Sequence, residues 1–263
     1  MGKNIAVHSY KGGTGKTSLS VNLAATFVKQ GKKVALFDLD FRAPSIFTIL
    51  KCEKTKIWLN DYLNGICKID DILLDVSERI PNAGKFYVGP ANPSTSAMRD
   101  MTTKDRKWET HAFDRVLALR KNLIKEQKFD YIIFDTSPGL QYSSMNAIVA
   151  ADFVIITTTN DCSDVNGTKR MISDFYDMFE NKTGIVLNKV LQAPNKTNDK
   201  TTTVTTNQIV KETYKVPLLG VLPCYCDVKE TEGKCLFPQD KPDHLFTKII
   251  AEMATKIEKG QIE

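Results

Sequence analysis

The chain has 263 residues, of which 42% are hydrophobic, so it can bury a full core without disulfide or metal staples. Its net charge of +5 fits weak contact with nucleic acid or an acidic membrane, and more simply a lysine-rich solvated surface. No apolar run is long enough to cross a bilayer, and a strand-like run begins within a few residues of Met1, where a leader would need a charged and then apolar stretch. A reducing, cytoplasmic setting is therefore expected, and disulfides among Cys52, Cys67, Cys162, Cys224, Cys226 and Cys235 are not.

In chain order, residues 3–10 read as a short buried strand. Residues 16–30 carry Leu19, Leu23, Ala24 and Phe27 at helical spacing, and Gly31 ends that helix. Residues 32–40 form a second buried strand with carboxylates at its end. A short helix is expected over 57–65, a strand and Pro/Gly loop over 85–93, and a long surface helix over 106–127. Residues 129–139 give a further strand running into a tight turn. Then come a strand at 151–159, a helix over 164–179 and a strand at 182–190. Residues 191–203 read as an insertion-like loop. A last strand at 216–223 and a closing helix at 242–258 complete the chain.

Strands alternate with helices, and the strands are near-continuous apolar runs. That pattern requires a mostly parallel central sheet covered on both faces. We therefore expect a single doubly wound α/β domain over residues 1–263, with ligands at the carboxyl ends of its strands. Each polar motif lies at such an end.

The first is "SYKGGTGKTSLS", residues 9–20. It follows a strand and opens a helix, as a phosphate loop must. Gly12, Gly13 and Gly15 let the backbone turn tightly around Thr14 and aim N–H groups at phosphate oxygens. The helix N-terminus adds positive potential. Lys16 is placed to reach the β- and γ-phosphates, the Thr17 hydroxyl to bind Mg2+, and Ser18 to touch the α-phosphate. Tyr10 stands where the ordinary pattern has its first glycine, and the loop carries a second lysine, Lys11.

Lys-Gly-Gly-Thr-Gly-Lys-Thr, residues 11–17, resembles the deviant Walker A motif of the ParA/MinD ATPases, relatives of nitrogenase iron protein and of Mrp/NBP-type scaffold proteins. Four further motifs follow in the family's order, so the resemblance covers nearly the whole chain. It implies an Mg2+-dependent ATPase that forms an ATP-sandwich homodimer. Lys11 would be the signature lysine, which crosses the interface to the partner's phosphates. The "DLDFRAPS" stretch (38–45) resembles switch I, in which Asp40 would orient the attacking water and Asp38 would sit in the outer shell of Mg2+. The "YIIFDTSPG" stretch (131–139) resembles Walker B and switch II, with Asp135 holding a metal-bound water and the Gly139 N–H sensing the γ-phosphate. Asn188 and the loop after Pro223 match the adenine side.

The implied role is a slow, partner-stimulated nucleotide switch for positioning or partition of DNA or another cargo. The activating protein is not named by the sequence. Non-specific DNA contact would draw on scattered basic residues: Lys169, Arg170, Lys196, Lys200, Lys211 and Lys215. The last helix places Leu245, Ile249, Ile250, Met253 and Ile257 on one stripe, but its polar face mixes Glu252 and Glu258 with lysines. A core-facing helix is expected there, not a membrane-targeting one. Cys224 and Cys226 form a C-x-C pair, which keeps open a second reading as a metal carrier or metal-centre assembly ATPase. The pair does not match the cysteines of the scaffold relatives in position.

Overall fold

Successive residues of a strand point to opposite faces, so a strand buried on both sides must be apolar at every position. The central residues of the inner strands meet that condition, and buried polar groups such as Asn4, His8, Asp38 and Asp135 sit toward the strand ends. In β1 (Lys3–His8), Ile5 and Val7 enter one buried cluster and Ala6 enters another. In β2 (Lys33–Leu39), Val34 and Leu36 join the first cluster while Ala35 and Phe37 join the second. The computed structural model describes residues 2–175, 179, 181–191, 209–231 and 233–260.

The remaining strands are β3 (Leu74–Asp75), β4 (Lys85–Gly89), β5 (Tyr131–Thr136), β6 (Phe153–Thr158), β7 (Thr183–Val190) and β8 (Leu218–Pro223). They form one sheet in the order β3-β4-β2-β5-β1-β6-β7-β8. All pairings are parallel except β3 with β4, which is antiparallel at one edge. The expected doubly wound α/β sheet is thus present. Strand β3 is too short to leave a periodic signature, and the sequence reading did not include it.

The described α-helices are α1 (Lys16–Lys29), α2 (Ile46–Ile49), α3 (Leu59–Leu63), α4 (Thr95–Thr102), α5 (Arg106–Lys121), α6 (Tyr142–Ala150), α7 (Cys162–Phe175), α8 (209–214), α9 (Cys226–Glu230), α10 (Phe237–Asp240) and α11 (Leu245–Lys259). Helix α1 ends as expected, with Gly31 at φ +83° donating its N–H to Val28 O. The long helix expected to Gln127 is α-helical only to Lys121, and a π-turn over Asn122–Glu126 replaces its last part. Helices α2, α4, α6, α8, α9 and α10 were not anticipated. Most of the expected 191–203 loop lies outside the described residues, as do Lys196 and Lys200.

Helix α1 lies on the face of Ile5 and Val7, buried along most of its length. Helix α11 closes over it. Phe246, Ile250, Met253, Ala254 and Ile257 of α11 are buried in the same cluster as Leu23 and Phe27. Of the expected stripe, Ile250, Met253 and Ile257 are buried in the core, Ile249 is partly buried against it and Leu245 stays exposed. Helices α3, α5, α6, α7 and α8 bury Leu63, Val116, Ile148, Met171 and Val210 on the opposite face. Truncating the fully buried Ile250 to Ala is expected to lower the unfolding free energy by ~2–5 kcal/mol. Urea unfolding measures it, and a loss well under ~1 kcal/mol would show that α11 is not part of the core.

Candidate functional site

Parallel strands bring their carboxyl ends to one edge of the sheet, and three of those ends converge here. β1 runs into the phosphate loop, β2 into Asp40 and β5 into Ser137. The register pairs Asp38 directly with Asp135 and sets Val7 beside Asp135 on the other side. Asp38 and Asp135 therefore lie next to each other on the face that carries α1.

The loop itself needs its glycines. Gly13 and Gly15 have φ of +78° and +94°, the left-handed region that favours glycine. At Gly15 a Cβ would also lie 2.3 Å from Asn188 Nδ2. Asn188 donates that amide to Thr14 O at 2.7 Å, and Lys189 Nζ donates to Gly13 O at 2.6 Å. The end of β7 thus holds the loop from the side where the base was expected. Pro223 ends β8 next to it, and the following Cys224 N donates to Val190 O at 2.9 Å. Asn188 and Pro223 thus lie at the ends of adjacent strands, and Asn188 is bonded to the phosphate loop.

Beneath the loop, Lys16 is buried and surrounded by acid. Burial lowers its pKa, while Asp135, Asp40 and Asp164 act to raise it. Asp135 is fully buried, and Ser20 Oγ donates to its Oδ1 at 2.9 Å. Burial pushes its carboxyl up to about 6, against the neighbouring Thr17 hydroxyl, Lys16 and Ser20, which pull it down. Its Oδ2 accepts no hydrogen bond among the described residues. A buried acceptor without a donor, next to a threonine hydroxyl, fits a water held by Mg2+, which keeps several of its waters and takes few protein ligands.

Asp38 is fully buried too, and its pKa is raised well above the usual carboxylate range by burial and by Asp135. Its Oδ1 accepts from Asp40 N at 3.1 Å, and its Oδ2 accepts from Ser45 N at 3.0 Å and Ile46 N at 3.1 Å. Asp38 therefore shapes the 40–46 loop as well as facing Asp135. Asp40 lies at the rim, where Ser137 Oγ donates to its Oδ1 at 3.0 Å. Gly139, at φ +72°, donates its N–H to Ser9 O at 2.9 Å, so the 137–139 turn is tied back to the phosphate loop. His8, pushed down to about 3 chiefly by burial and then by Lys16, is neutral and meets Thr136 Oγ1 at 2.7 Å.

Lys11 has the opposite environment. Its side chain is 51% exposed and borders an open cleft of about 550 Å3 shared with Thr14, Asp161, Asp164 and Lys189. Ser20, Ser137, Asp161, Asp164 and Lys189 were missed in the sequence. Ser20 left a local signal, one helical turn after Lys16, and Asp161 the ordinary one of a helix cap. Cys224 and Cys226 are exposed, and among the described residues no three His, Cys, Asp or Glu side chains gather as a metal site. No helix is long and apolar enough to cross a membrane among those residues.

The family described as AAA domain matches residues 2–193. The septum site-determining protein MinD of Bacillus subtilis is 30% identical over 227 residues, covering 84% of this chain and 76% of that protein. The chain belongs to the ParA/MinD family of ATPases. The fold agrees with MinD of Pyrococcus horikoshii, solved with Mg-ADP, at a TM-score of 0.75 and 22% identity over 99% of this chain and 98% of that one. A putative plasmid partition protein of Borrelia burgdorferi, bound to AMPPNP, aligns at 0.72 with 22% identity over 99% and 100%. Within this ParA/MinD ATPase, the buried Asp135 has a calculable cost. Its folded pKa lies above its unfolded one, so its ionisation destabilises the fold as pH rises from about 4 through about 6. Asp135→Asn is therefore expected to stabilise the nucleotide-free protein by about 1–3 kcal/mol near pH 8, and by much less near pH 4.5. Urea unfolding at both values checks this, and an equal effect at the two would contradict it.

Proposed function

We propose that this ATPase is an Mg2+-dependent nucleotide switch whose ATP-bound form is a homodimer, used in the cytoplasm to position or partition DNA or another cargo. The carrying observation is the contrast between the two lysines of one loop. Lys16 is buried under its own loop against Asp135 and Asp40. Lys11 is half exposed and directed away from that acid. One lysine is built to serve its own nucleotide, and the other is available to a neighbour's.

The remaining residues divide the work. Backbone N–H groups of Gly12 to Lys16, with Ser18, cradle the phosphates. Thr17, Asp38 and Asp135 would hold Mg2+ directly or through its waters, and the ion when bound offsets phosphoryl charge. Asp40, fixed by Ser137, orients the attacking water. Lys11 from the second subunit meets charge developing on the transferred group. Gly139 would exchange its bond to Ser9 O for the γ-phosphate, linking the nucleotide state to the 137–139 turn and α6. Asn188 and the backbone after Pro223 face adenine.

The names of the relatives support a positioning role: septum site determination for one, and plasmid partition for the other. An activating protein partner fits a slow switch. The basic residues that are described, Lys169 and Arg170 on α7 and Lys211 and Lys215 near α8, are exposed on the α7–α8 side. Asp40→Ala is expected to retain ATP and accumulate as a dimer, read by sizing with light scattering. That dimer should bind plain duplex DNA with ATP and not with ADP, and lose it as salt rises. A dimer that ignores DNA would point to a protein cargo. A variant that stays monomeric with saturating ATP would contradict the switch.

A further inference from the structure

Lys11 is exposed, but it is not unattended. Its Nζ donates to Ser163 Oγ at 3.0 Å and lies 3.4 Å from Asp161 Oδ1. Ser163 Oγ in turn donates to the same Asp161 oxygen at 2.5 Å. That oxygen also accepts the N–H groups of Ser163 at 3.0 Å and Asp164 at 3.1 Å, which open α7. Asp161 is thus an N-cap, and its carboxylate is fixed in place before Lys11 arrives. Ser163, the Asp164 N–H and Lys11 together hold the Asp161 carboxyl down at about 2.

The residue before Lys11 is docked on the same helix. The Tyr10 ring lies against Gly167, where an added Cβ would come within 1.9 Å of it. Helix α7 therefore grips the front of the phosphate loop at two adjacent residues. The rear of the loop is held separately, by Asn188 and Lys189.

We propose that Asp161, with Ser163, is a positioning residue that keeps Lys11 on its own subunit until ATP-dependent pairing draws it across. The proposal rests on the reading above that Lys11 acts in trans. Lys11 cannot reach a neighbour's phosphates while its Nζ sits on Asp161 and Ser163. The contact therefore opposes dimer formation and sets the protein concentration at which the switch closes. Its strength is modest, because the pair is 51% and 55% exposed. Two such contacts break for each dimer formed.

The test separates charge from helix capping. Asp161→Asn keeps a capping side chain and removes the charge. Analytical ultracentrifugation with Mg2+ and a non-hydrolysable ATP analogue reads the dimer dissociation constant. The variant is expected to dimerise about 2- to 30-fold more tightly than the parent at low salt. The gap should shrink in high salt, which screens an exposed pair but not a change in packing. A dimer that is unchanged or weaker, or a gain that ignores salt, would overturn the proposal. The cis contact is checked without dimerisation, by mass-spectrometric acylation of Lys11 in the nucleotide-free protein. Labelling should be faster in Asp161→Asn, and an equal rate would overturn the contact. Faster labelling with no dimer of either protein would instead sink the trans reading of Lys11, and this role with it.

Discussion

Two carboxylates on neighbouring strands, Asp38 and Asp135, lie in register and fully buried, and the site is organised around that juxtaposition. Like charges that close in a poorly solvated place resist joint ionisation. Three things offset the strain. Lys16 lies buried nearby as the compensating cation. Ser20 satisfies one oxygen of Asp135, and the backbone N–H groups of Asp40, Ser45 and Ile46 satisfy Asp38. What is left over is one carboxylate oxygen without a donor, under a loop of backbone N–H groups. Such a site is acidic below and positive above, and a polyphosphate with a divalent cation answers both halves. Stability is given up at the place where function needs charge, a common pattern at sites with perturbed pKa values.

The same arrangement explains how the state of the site can be read elsewhere. Asp38 ties its charge to the 40–46 loop, and Ser137 ties Asp40 to the turn after β5. Gly139 ties that turn to Ser9 at the start of the phosphate loop. Asp38 holds its loop through three backbone hydrogen bonds, while the Ser137–Asp40 and Gly139–Ser9 links are one hydrogen bond each and can be exchanged for a ligand contact. The sheet below them packs apolar residues into a buried cluster on each face. A packed floor under exchangeable loops is what a two-state switch requires.

Much of this was legible in the sequence because its causes are local. Near-continuous apolar runs mark β1, β2, β5 and β6, which are buried on both faces, and the spacing of glycines and lysines marks the phosphate loop between β1 and α1. Asp40 and Asp135 stood out in the sequence because each lies at the carboxyl end of an apolar run, Asp40 just after β2 and Asp135 near the end of β5. What was not legible depends on long-range contact. Asn188 meets Thr14 across 174 positions, and Lys11 meets Asp161 across 150. Asp161 looks in the sequence like an ordinary helix cap, and only the fold sets a lysine on it. Strand β3 is made by its partner β4 rather than by its own two residues. Helix α6 lacks a side-chain cap at Gln141, so its start carried no sign. The closing helix shows the reverse case. Its stripe alone is compatible with a membrane surface or a core, and only the fold shows Ile250, Met253 and Ile257 buried in the cluster of α1.

The central claim is that the two lysines of one loop serve different subunits, and complementation tests it most directly. Lys11→Ala and Lys16→Ala are each expected to lack ATPase activity alone. Mixed in equal amounts with ATP and Mg2+, they should regain activity. In a mixed dimer the Lys11→Ala subunit keeps its own Lys16 and receives Lys11 from its partner. Recovery that grows with protein concentration would support a shared site. No recovery, with mixed dimers shown to form, would contradict it and place both lysines on the same nucleotide.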